Sequence, residues 1–541
     1  MTDHCSVSNS MNGGKGTGKR KRDENSNYTV LDLDYKVFND PIHGHIEIHP
    51  LCMKIIDTPE FQRLRYLKQL GPCYYVFPGA SHNRFEHSIG VCHLAGEMVC
   101  RLQKQQPELG ITDVDVLCVK IGGLCHDLGH GPFSHLYDTR FIQSVNPGSK
   151  WTHEKASIQM FEHLIEENNL EKDFEEYNLT RQDRDFIKEQ FNGPLNEDKI
   201  YKGRPDKKYL YEIVANKRNS VDVDKWDYFA RDCYMLGIKN NFDHNRFMRF
   251  FRVIEDKNGD QQICLRDKEV ENLYDMFHTR KTLHSRAYQH AVTQAVGCMI
   301  VDALIIADKC EKFRILGTDN TPRRLSECIE DMEAYKKLDD TIFQRIMRSR
   351  KPGLQGARDL IDRIQKRQLY RCVGSTHRPE GLDKKEDKKL LEEIAELDGE
   401  LKPEFLTLAC VHYDYGMKNK NPVDNTRFYT KSKPNECKRL RKHQVSQLLP
   451  EHFQEDMIRI FCKEHNPQII QAAKSAFEKW CFENELVAKT DRWVLTPAKS
   501  HDMMSSSPAD SATTTSPHIG DKDRIKKNIF AINSNKKRRR Q

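Results

Sequence analysis

The chain is expected to be a mainly α protein. Three observations point there. Apolar residues recur at helical spacing through most of the body, extended alternating runs are few, and 37% hydrophobic residues stand against 31% charged ones. That ratio suits helices with charged outer faces better than a sandwich. At 541 residues the chain exceeds one compact core, so one large elaborated domain or two to three domains are expected.

The first 28 residues are rich in Ser, Asn, Gly and Lys and poor in large apolar side chains. They hold too little apolar surface to fold alone, and a disordered segment is expected over residues 1–34. It contains the basic run Lys19-Arg20-Lys21-Arg22. A second Ser/Thr-rich segment, 496–541, ends in Lys536-Lys537-Arg538-Arg539-Arg540. Two basic runs on disordered ends point to nuclear import, with a cytoplasmic pool also expected.

Between them, residues 91–102 carry apolar side chains at helical spacing, and so do residues 114–125, which lead into a histidine-rich segment. A further helix is expected over 273–288, with Leu273, Met276, Phe277 and Leu283 on one side, and a charged amphipathic one over 390–401. Residues 405–411 and 427–430 are expected to pair in a small sheet, and the charge run 383–389 to be a solvated loop. No internal repeat is visible. The longest apolar run, 295–307, is interrupted by Asp302 and falls short of the roughly 20 residues that span a bilayer. No secretory signal opens the chain. Its 17 cysteines form no Cys-x-x-Cys pair, which argues against a thiolate zinc site and fits a reducing compartment. A soluble intracellular protein with no membrane partner is expected.

The chemistry concentrates in His126-Asp127-Leu128-Gly129-His130-Gly131-Pro132-Phe133-Ser134-His135. An adjacent His-Asp pair at a helix end can place an imidazole and a carboxylate on one metal. Gly129 and Gly131 are expected to let the backbone turn closely around the site. Upstream, His82-Asn83-Arg84-Phe85-Glu86-His87 supplies imidazoles beside an arginine; downstream, Asp222-Val223-Asp224-Lys225-Trp226-Asp227-Tyr228 supplies carboxylates beside a lysine. Asp222 and Asp224 are both open as ligands on this reading. Any one of the 23 histidines is more simply a core or surface residue, but the ordered set His … His-Asp … Asp is the pattern of HD-domain phosphohydrolases.

At these residues the sequence closely resembles the vertebrate SAM- and HD-domain-containing deoxynucleoside triphosphate triphosphohydrolase family. The resemblance runs from about Tyr35 to Thr490 and is densest over residues 37–49, 77–88, 117–134, 223–233 and 273–280. It implies an HD-domain helical phosphohydrolase core over 35–310, followed by a helical lobe with a small β element over 311–495. The family's SAM domain would precede Tyr35, where residues 23–34 are too short to hold it. By this resemblance His87, His126, Asp127 and Asp224 ligate a divalent metal, zinc or iron or manganese with magnesium. His153 is the general acid, while His135 and Asp138 orient the water or the acid. Arg84, His130, Lys225 and Arg280 hold the triphosphate. Gln69 and Asp232 meet the sugar hydroxyl, and Leu70, Tyr228 and Tyr288 pack on the sugar, with Tyr288 excluding a 2′-hydroxyl. The reaction implied is release of deoxynucleoside and triphosphate from a dNTP.

The resemblance also implies activation by GTP or dGTP and by dNTPs, which assemble a homotetramer. Lys36, Val37, Asp57, Gln62, Arg65, Arg367 and Arg371 match the guanine-nucleotide site. Asn39, Val76, Phe77, Arg246, Arg266, Lys268, Asn272, His290 and Lys431 match the dNTP site. Ala291 stands where the family has lysine, and Arg371 replaces a lysine with its charge kept. Thr496-Pro497-Ala498-Lys499 fits a cyclin-dependent kinase site, where phosphate would add roughly −1.5 to −2 charge and loosen assembly. A dNTP-limiting role, with restriction of viral reverse transcription, follows from the family. Two other readings are weighed: an HD enzyme acting on cyclic or guanosine polyphosphate nucleotides, and a single-stranded RNA- or DNA-binding protein with a non-essential HD site. The latter would use Arg246-Phe247-Met248-Arg249-Phe250-Phe251 as a stacking platform.

Overall fold

The computed structural model describes residues 35–379, 387–417, 419–440, 444 and 451–489. Both basic runs and Thr496 lie outside the described residues. The chain enters through a hairpin, β1 (Lys36–Asp40) and β2 (Gly44–Ile48), in register Lys36↔Ile48 to Asp40↔Gly44. Helix α1 (Pro50–Ile56) follows, with His49 as its N-cap: Nδ1 accepts the Leu51 amide at 3.1 Å.

Two long helices form the centre. α2 (Arg84–Gln105) starts where Glu86 reaches back to the Asn83 amide at 2.8 Å. α3 (Asp113–Cys125) starts at a Thr112/Asp115 capping box, each box satisfying amides that the first turn leaves unpaired. α2 therefore begins seven residues before the expected 91–102 span, because the cap and not the apolar periodicity marks its start. Around this pair pack α4 (His153–Glu167), α5 (Arg181–Asn192) and α6 (Val223–Leu236), capped by Thr152, Thr180 and Asp222.

β3 (Phe251–Glu255) and β4 (Gln261–Arg266) form a hairpin before α7 (Val270–Leu283). The helix expected over 273–288 is observed as α7 continued by a π-helical turn, His284–Tyr288. α8 (Ala291–Lys309) is long and apolar enough to cross a membrane by length and composition, longer than the apolar run suggested. Its 18-residue apolar window is 67% buried inside the fold, packed against α9 (Gln355–Gln365).

The C-terminal part adds β5 (Arg371–His377), α10 (Asp387–Glu396), β6 (Leu406–Asp414), β7 (Phe428–Thr430), β8 (Lys433–Lys438), β9 (Gln454–Cys462) and α11 (Pro467–Glu483). The expected pairing of 405–411 with 427–430 does not occur. β6 lies in an antiparallel sheet of order β5–β9–β6, whereas β7 joins a second sheet of order β8–β7–β4–β3, parallel to β4. Both segments are strands, but their partners are distant in sequence and leave no local signal. The amphipathic helix expected over 390–401 is displaced to 387–396, so Asp387, Lys388 and Lys389 open a helix where a loop was expected. Residues 383–386 of that charge run lie outside the described residues.

The nucleic-acid platform is not formed as expected. Phe247 and Phe251 are buried, with ring centroids 5.9 and 5.4 Å from Trp226, and Met248 is buried beside them. The aromatic members of the run are mostly core, leaving Arg246, Arg249 and part of Phe250 outside.

Candidate metal centre and active site

Three helices deliver the four residues of the HD pattern. His87 sits in the first turn of α2, His126 is the C-cap of α3 with Asp127 next in chain, and Asp224 lies in the first turn of α6. His87 Nε2 is 3.4 Å from Asp127 Oδ2 and 3.2 Å from Asp224 Oδ1; His126 Nε2 is 3.4 Å from Asp127 Oδ1 and 3.5 Å from Asp224 Oδ1. Both Nε2 atoms are buried without a hydrogen-bond partner. Each ring's other nitrogen is committed: His87 Nδ1 lies 2.7 Å from Asp227 Oδ2, and His126 Nδ1 lies 2.8 Å from the Gly123 carbonyl. With Nδ1–H donating outward, the Nε2 lone pairs face inward toward two carboxylates. That donor set fits a divalent cation taking mixed nitrogen and oxygen ligands.

The electrostatics agree. Burial opposes a proton on His87, yet Asp224 and Asp227 outweigh it and raise the imidazole to about 10, so the position attracts positive charge. Burial also opposes charge on Asp127, but Arg84, then His126 and His130, hold its carboxyl well below the usual range. Arg84 Nη1 donates to Asp127 Oδ2 at 2.5 Å and its Nε donates to Ser134 Oγ at 3.0 Å.

Beside the centre, His130, His135 and His153 form a second imidazole cluster, His130 stacking on His153 at 3.9 Å. His153 Nδ1 lies 2.7 Å from Asp138 Oδ2, and His135 Nδ1 lies 3.9 Å from Asp138 Oδ1. Burial lowers the His153 pKa, but Asp138 outweighs it and the net shift is upward. Burial and then Arg84 push His130 well below its usual value, keeping it neutral.

A cleft of about 320 Å³ opens here, lined by His126, Asp127, Asp224, His153, Lys225 and Lys217 among others. Lys225 Nζ donates to both Asp222 oxygens at 3.0 Å, so Asp222 caps α6 and grips Lys225 while Asp224 faces the histidines. Arg280 donates to Tyr228 Oη at 3.1 Å and to Asp414 Oδ1 at 3.2 Å, which ties it to the end of β6. Asp232 accepts from Tyr288 and lies 2.6 Å from His82 Nε2, so both oxygens of the expected sugar-hydroxyl acceptor are engaged. The Gln69 carbonyl accepts from Arg84 at 3.3 Å, while its side-chain Oε1 is buried and unpartnered; Leu70 is partly buried next to it.

The residues matched to nucleotide sites lie elsewhere, in separate groups. Gln62 bonds Arg65 at 2.7 Å and the Ile56 carbonyl, next to Asp57 at the end of α1. Lys36, Val37 and Asn39 are exposed on β1. Arg367 donates to the Tyr75 carbonyl at 3.2 Å, and Arg371 is exposed at the start of β5. Phe77 lies edge-on to His290 at 6.0 Å, with Val76 partly buried beside it. Arg246 pairs with Glu269 at 2.7 Å, Lys268 lies over the Phe250 ring at 3.8 Å, and Asn272 donates to the Asp243 carbonyl. Arg266 pairs with Tyr429 across the β4–β7 ladder, which puts Lys431 two residues beyond that rung.

The glycines work differently from the expectation. Positive φ falls on Phe133 and Ser134, at 60° and 56°, and not on Gly129 or Gly131. The amide of Phe133 donates to Asp340 at 2.6 Å and Ser134 Oγ donates to the Lys68 carbonyl at 2.7 Å, which holds this strained turn. Gly129 is required for close approach instead: a Cβ there would lie 2.1 Å from the His153 carbonyl oxygen.

Several residues escaped the sequence reading. Asp227 and His43 stand behind His87, and Lys217 lines the cleft. Arg63 is buried and donates to the carbonyls of Leu128, His130 and Leu338, bracing the histidine loop. Residues 65 to 275 positions from their partners carry no spacing signal.

Comparison with known proteins adds a family to this geometry. The HD domain model matches residues 84–232. The chain is 53% identical over 478 residues to the deoxynucleoside triphosphate triphosphohydrolase SAMHD1 of Homo sapiens, covering 85% of this chain and 76% of that protein. It is 52% identical to the Danio rerio protein of the same name, with the same coverage. The Dictyostelium discoideum SAMHD1 homolog is 38% identical over 492 residues, covering 90% of this chain and 89% of that protein.

Proposed function

This chain belongs to the SAMHD1 family of deoxynucleoside triphosphate triphosphohydrolases, and with that as premise we propose which residues carry the reaction and how it is regulated. The chain is a hydrolase acting on dNTPs through its HD domain. The products proposed are deoxynucleoside and inorganic triphosphate. The observation that carries the reading is the convergence of two orphaned Nε2 atoms and the Asp127 carboxylate, with Asp224 Oδ1 3.2 and 3.5 Å from those two nitrogens, next to a His-Asp dyad.

His87, His126, Asp127 and Asp224 would hold the divalent cation, which when bound supplies Lewis acidity toward the α-phosphate and a lowered pKa for water. Zinc, or iron or manganese with magnesium, suits this donor set. Arg84, Lys225 and Arg280 neutralise the triphosphate, with neutral His130 donating a hydrogen bond. A water oxygen bonds the α-phosphorus and gives up a proton as the P–O5′ bond breaks, and the 5′-oxygen, leaving with the bonding electrons, needs a proton. His153, whose protonated form Asp138 favours, delivers it, while His135 helps orient that carboxylate. Gln69, Leu70, Tyr228, Asp232 and Tyr288 hold the sugar; the Tyr288–Asp232 bond keeps the phenol where a 2′-hydroxyl would need room.

GTP or dGTP and dNTPs are proposed as activators that assemble a homotetramer through the two residue sets matched above to the guanine-nucleotide and dNTP sites. Phosphorylation of Thr496, nuclear localisation, limitation of dNTP pools, restriction of viral reverse transcription and contact with single-stranded RNA or DNA follow from the same kinship.

The test is product chromatography on purified protein with dGTP, with and without GTP. Deoxyguanosine and triphosphate are expected, stimulated by GTP and lost in Asp127→Asn. Deoxyguanosine monophosphate with pyrophosphate, or undiminished turnover in Asp127→Asn, would overturn the reading.

A further inference from the structure

We propose that the turn of the β1–β2 hairpin is an outer part of the metal centre: through Asp40, Arg231 and Asp227 it fixes the ring of His87 and thereby sets how tightly the centre holds its cation. The inference rests on the reading of His87, His126, Asp127 and Asp224 as metal ligands.

The connections are continuous. Asp40 Oδ1 accepts the amides of Ile42 and His43 at 2.8 and 2.9 Å, which shapes the turn. Its Oδ2 accepts from Arg231 Nη1 at 2.8 Å. Arg231 then donates twice to Asp227, Nε to Oδ2 at 2.9 Å and Nη2 to Oδ1 at 2.8 Å. His43, from the turn itself, places Nε2 2.7 Å from Asp227 Oδ1. Asp227 Oδ2 lies 2.7 Å from His87 Nδ1. Asp227 and His87 are fully buried and Arg231 is 1% exposed.

The arrangement is tightly built on both sides. A Cβ at Gly90, one turn along α2 from His87, would lie 1.9 Å from Asp227 Oδ1 and 2.6 Å from Arg231 Nη2. The helix that bears the ligand thus has no side chain where the carboxylate and guanidinium must pass. A buried ionic network of this kind is no better for stability than packed apolar side chains, because desolvation offsets the attraction. Its physical effect is to fix direction. With both Asp227 oxygens occupied by Arg231 and His43, the carboxylate cannot rotate. The Nδ1–H of His87 is then locked outward and its Nε2 lone pair is aimed at Asp127 and Asp224. Partners of this sort change metal affinity roughly 10–100-fold when removed. Asp40, Arg231 and His43 are positioning residues: none reaches the reacting atoms.

The experiment is a Mn2+ titration of the full chain, stripped with chelator and read by the EPR signal of free Mn2+. The unmodified protein and the variants Asp40→Asn, Arg231→Lys and His126→Ala are compared well below their melting temperatures, with apo-protein melting recorded alongside. Unmodified protein should bind tightly and His126→Ala should lose that binding. Asp40→Asn and Arg231→Lys should bind about 10–100-fold more weakly. If both retain affinity within twofold, the hairpin is not part of the centre, even where apo melting falls. If unmodified protein and His126→Ala bind alike, the metal-centre reading itself fails and takes the inference with it, an outcome distinct from the first.

Discussion

Asp138 Oδ2 lies 2.7 Å from His153 Nδ1, and the same carboxylate faces His135, so one buried acid steers two imidazoles at the edge of the cleft. Asp138→Asn should therefore lower kcat and leave KM for dNTP nearly unchanged. The loss should be about 10–100-fold, smaller than the roughly 10²–10⁴-fold loss expected of His153→Ala. The pH profile separates orientation from mere folding. A general acid is active while protonated, and Asp138 raises the His153 pKa. Removing that carboxylate should move the alkaline limb of kcat to lower pH. An unmoved limb would rule out His153 as the acid that Asp138 supports.

Lys217 is the lysine or arginine lining the cleft that has no ion-pair partner among the described residues, since Lys225 is held by Asp222. A triphosphate carries about four charges, and an exposed lysine held in no close ion pair, only in the field of Glu154, should meet it. Lys217→Ala should raise KM about 3–10-fold with kcat little changed, and Lys217→Arg should restore it. Inhibition by inorganic triphosphate should weaken in parallel. Equal KM in the alanine variant would remove Lys217 from the site.

Gly129→Ala should destabilise the protein and disable it together. The added methyl would sit 2.1 Å from the His153 carbonyl and 2.2 Å from the Ser157 amide, both backbone atoms of the α4 first turn. Neither can yield without shifting the helix that bears His153. A cost of about 1–3 kcal/mol is expected from overpacking, read as a lower melting temperature, with kcat reduced beyond what the unfolded fraction explains.

His49 predicts a stability loss in mild acid. Burial, assisted by Lys120, lowers its imidazole to about 4, and the neutral ring caps α1. The unfolded chain takes up this proton near pH 6.5 while the folded one resists until about pH 4, so stability is present above 6.5 and is lost as pH falls through that window. By pH 5 the loss attributable to this site is about 2 kcal/mol. His49→Asn keeps a capping acceptor without the titration. Urea unfolding at pH 7.5 and pH 5 should show a smaller acid penalty in this variant.

Much of the molecule was legible because its signals are local. The helical period of residues 91–102 and 114–125 marked α2 and α3, and the dense histidine segment marked the centre, because a helix writes its buried face into spacings of three and four. Strand partners were not legible. Residues 405–411 and 427–430 read as strands, yet which strands they join depends on β9 and β4, distant in sequence. The site divides the same way. His126 and Asp127 announce themselves by adjacency, and family resemblance selected Asp224 over Asp222, a choice consistent with Asp222 capping α6 and gripping Lys225. His43, Arg63 and Lys217 gave no sign, and Asp227 stood in the carboxylate segment without a role, because such side chains acquire their meaning from groups the fold brings near them. Composition and periodicity dictated a helical protein, and the ordered His … His-Asp … Asp set marked its candidate metal centre. Folding settled that His87 turns Nε2 inward, because its Nδ1 is held by Asp227, 140 positions away.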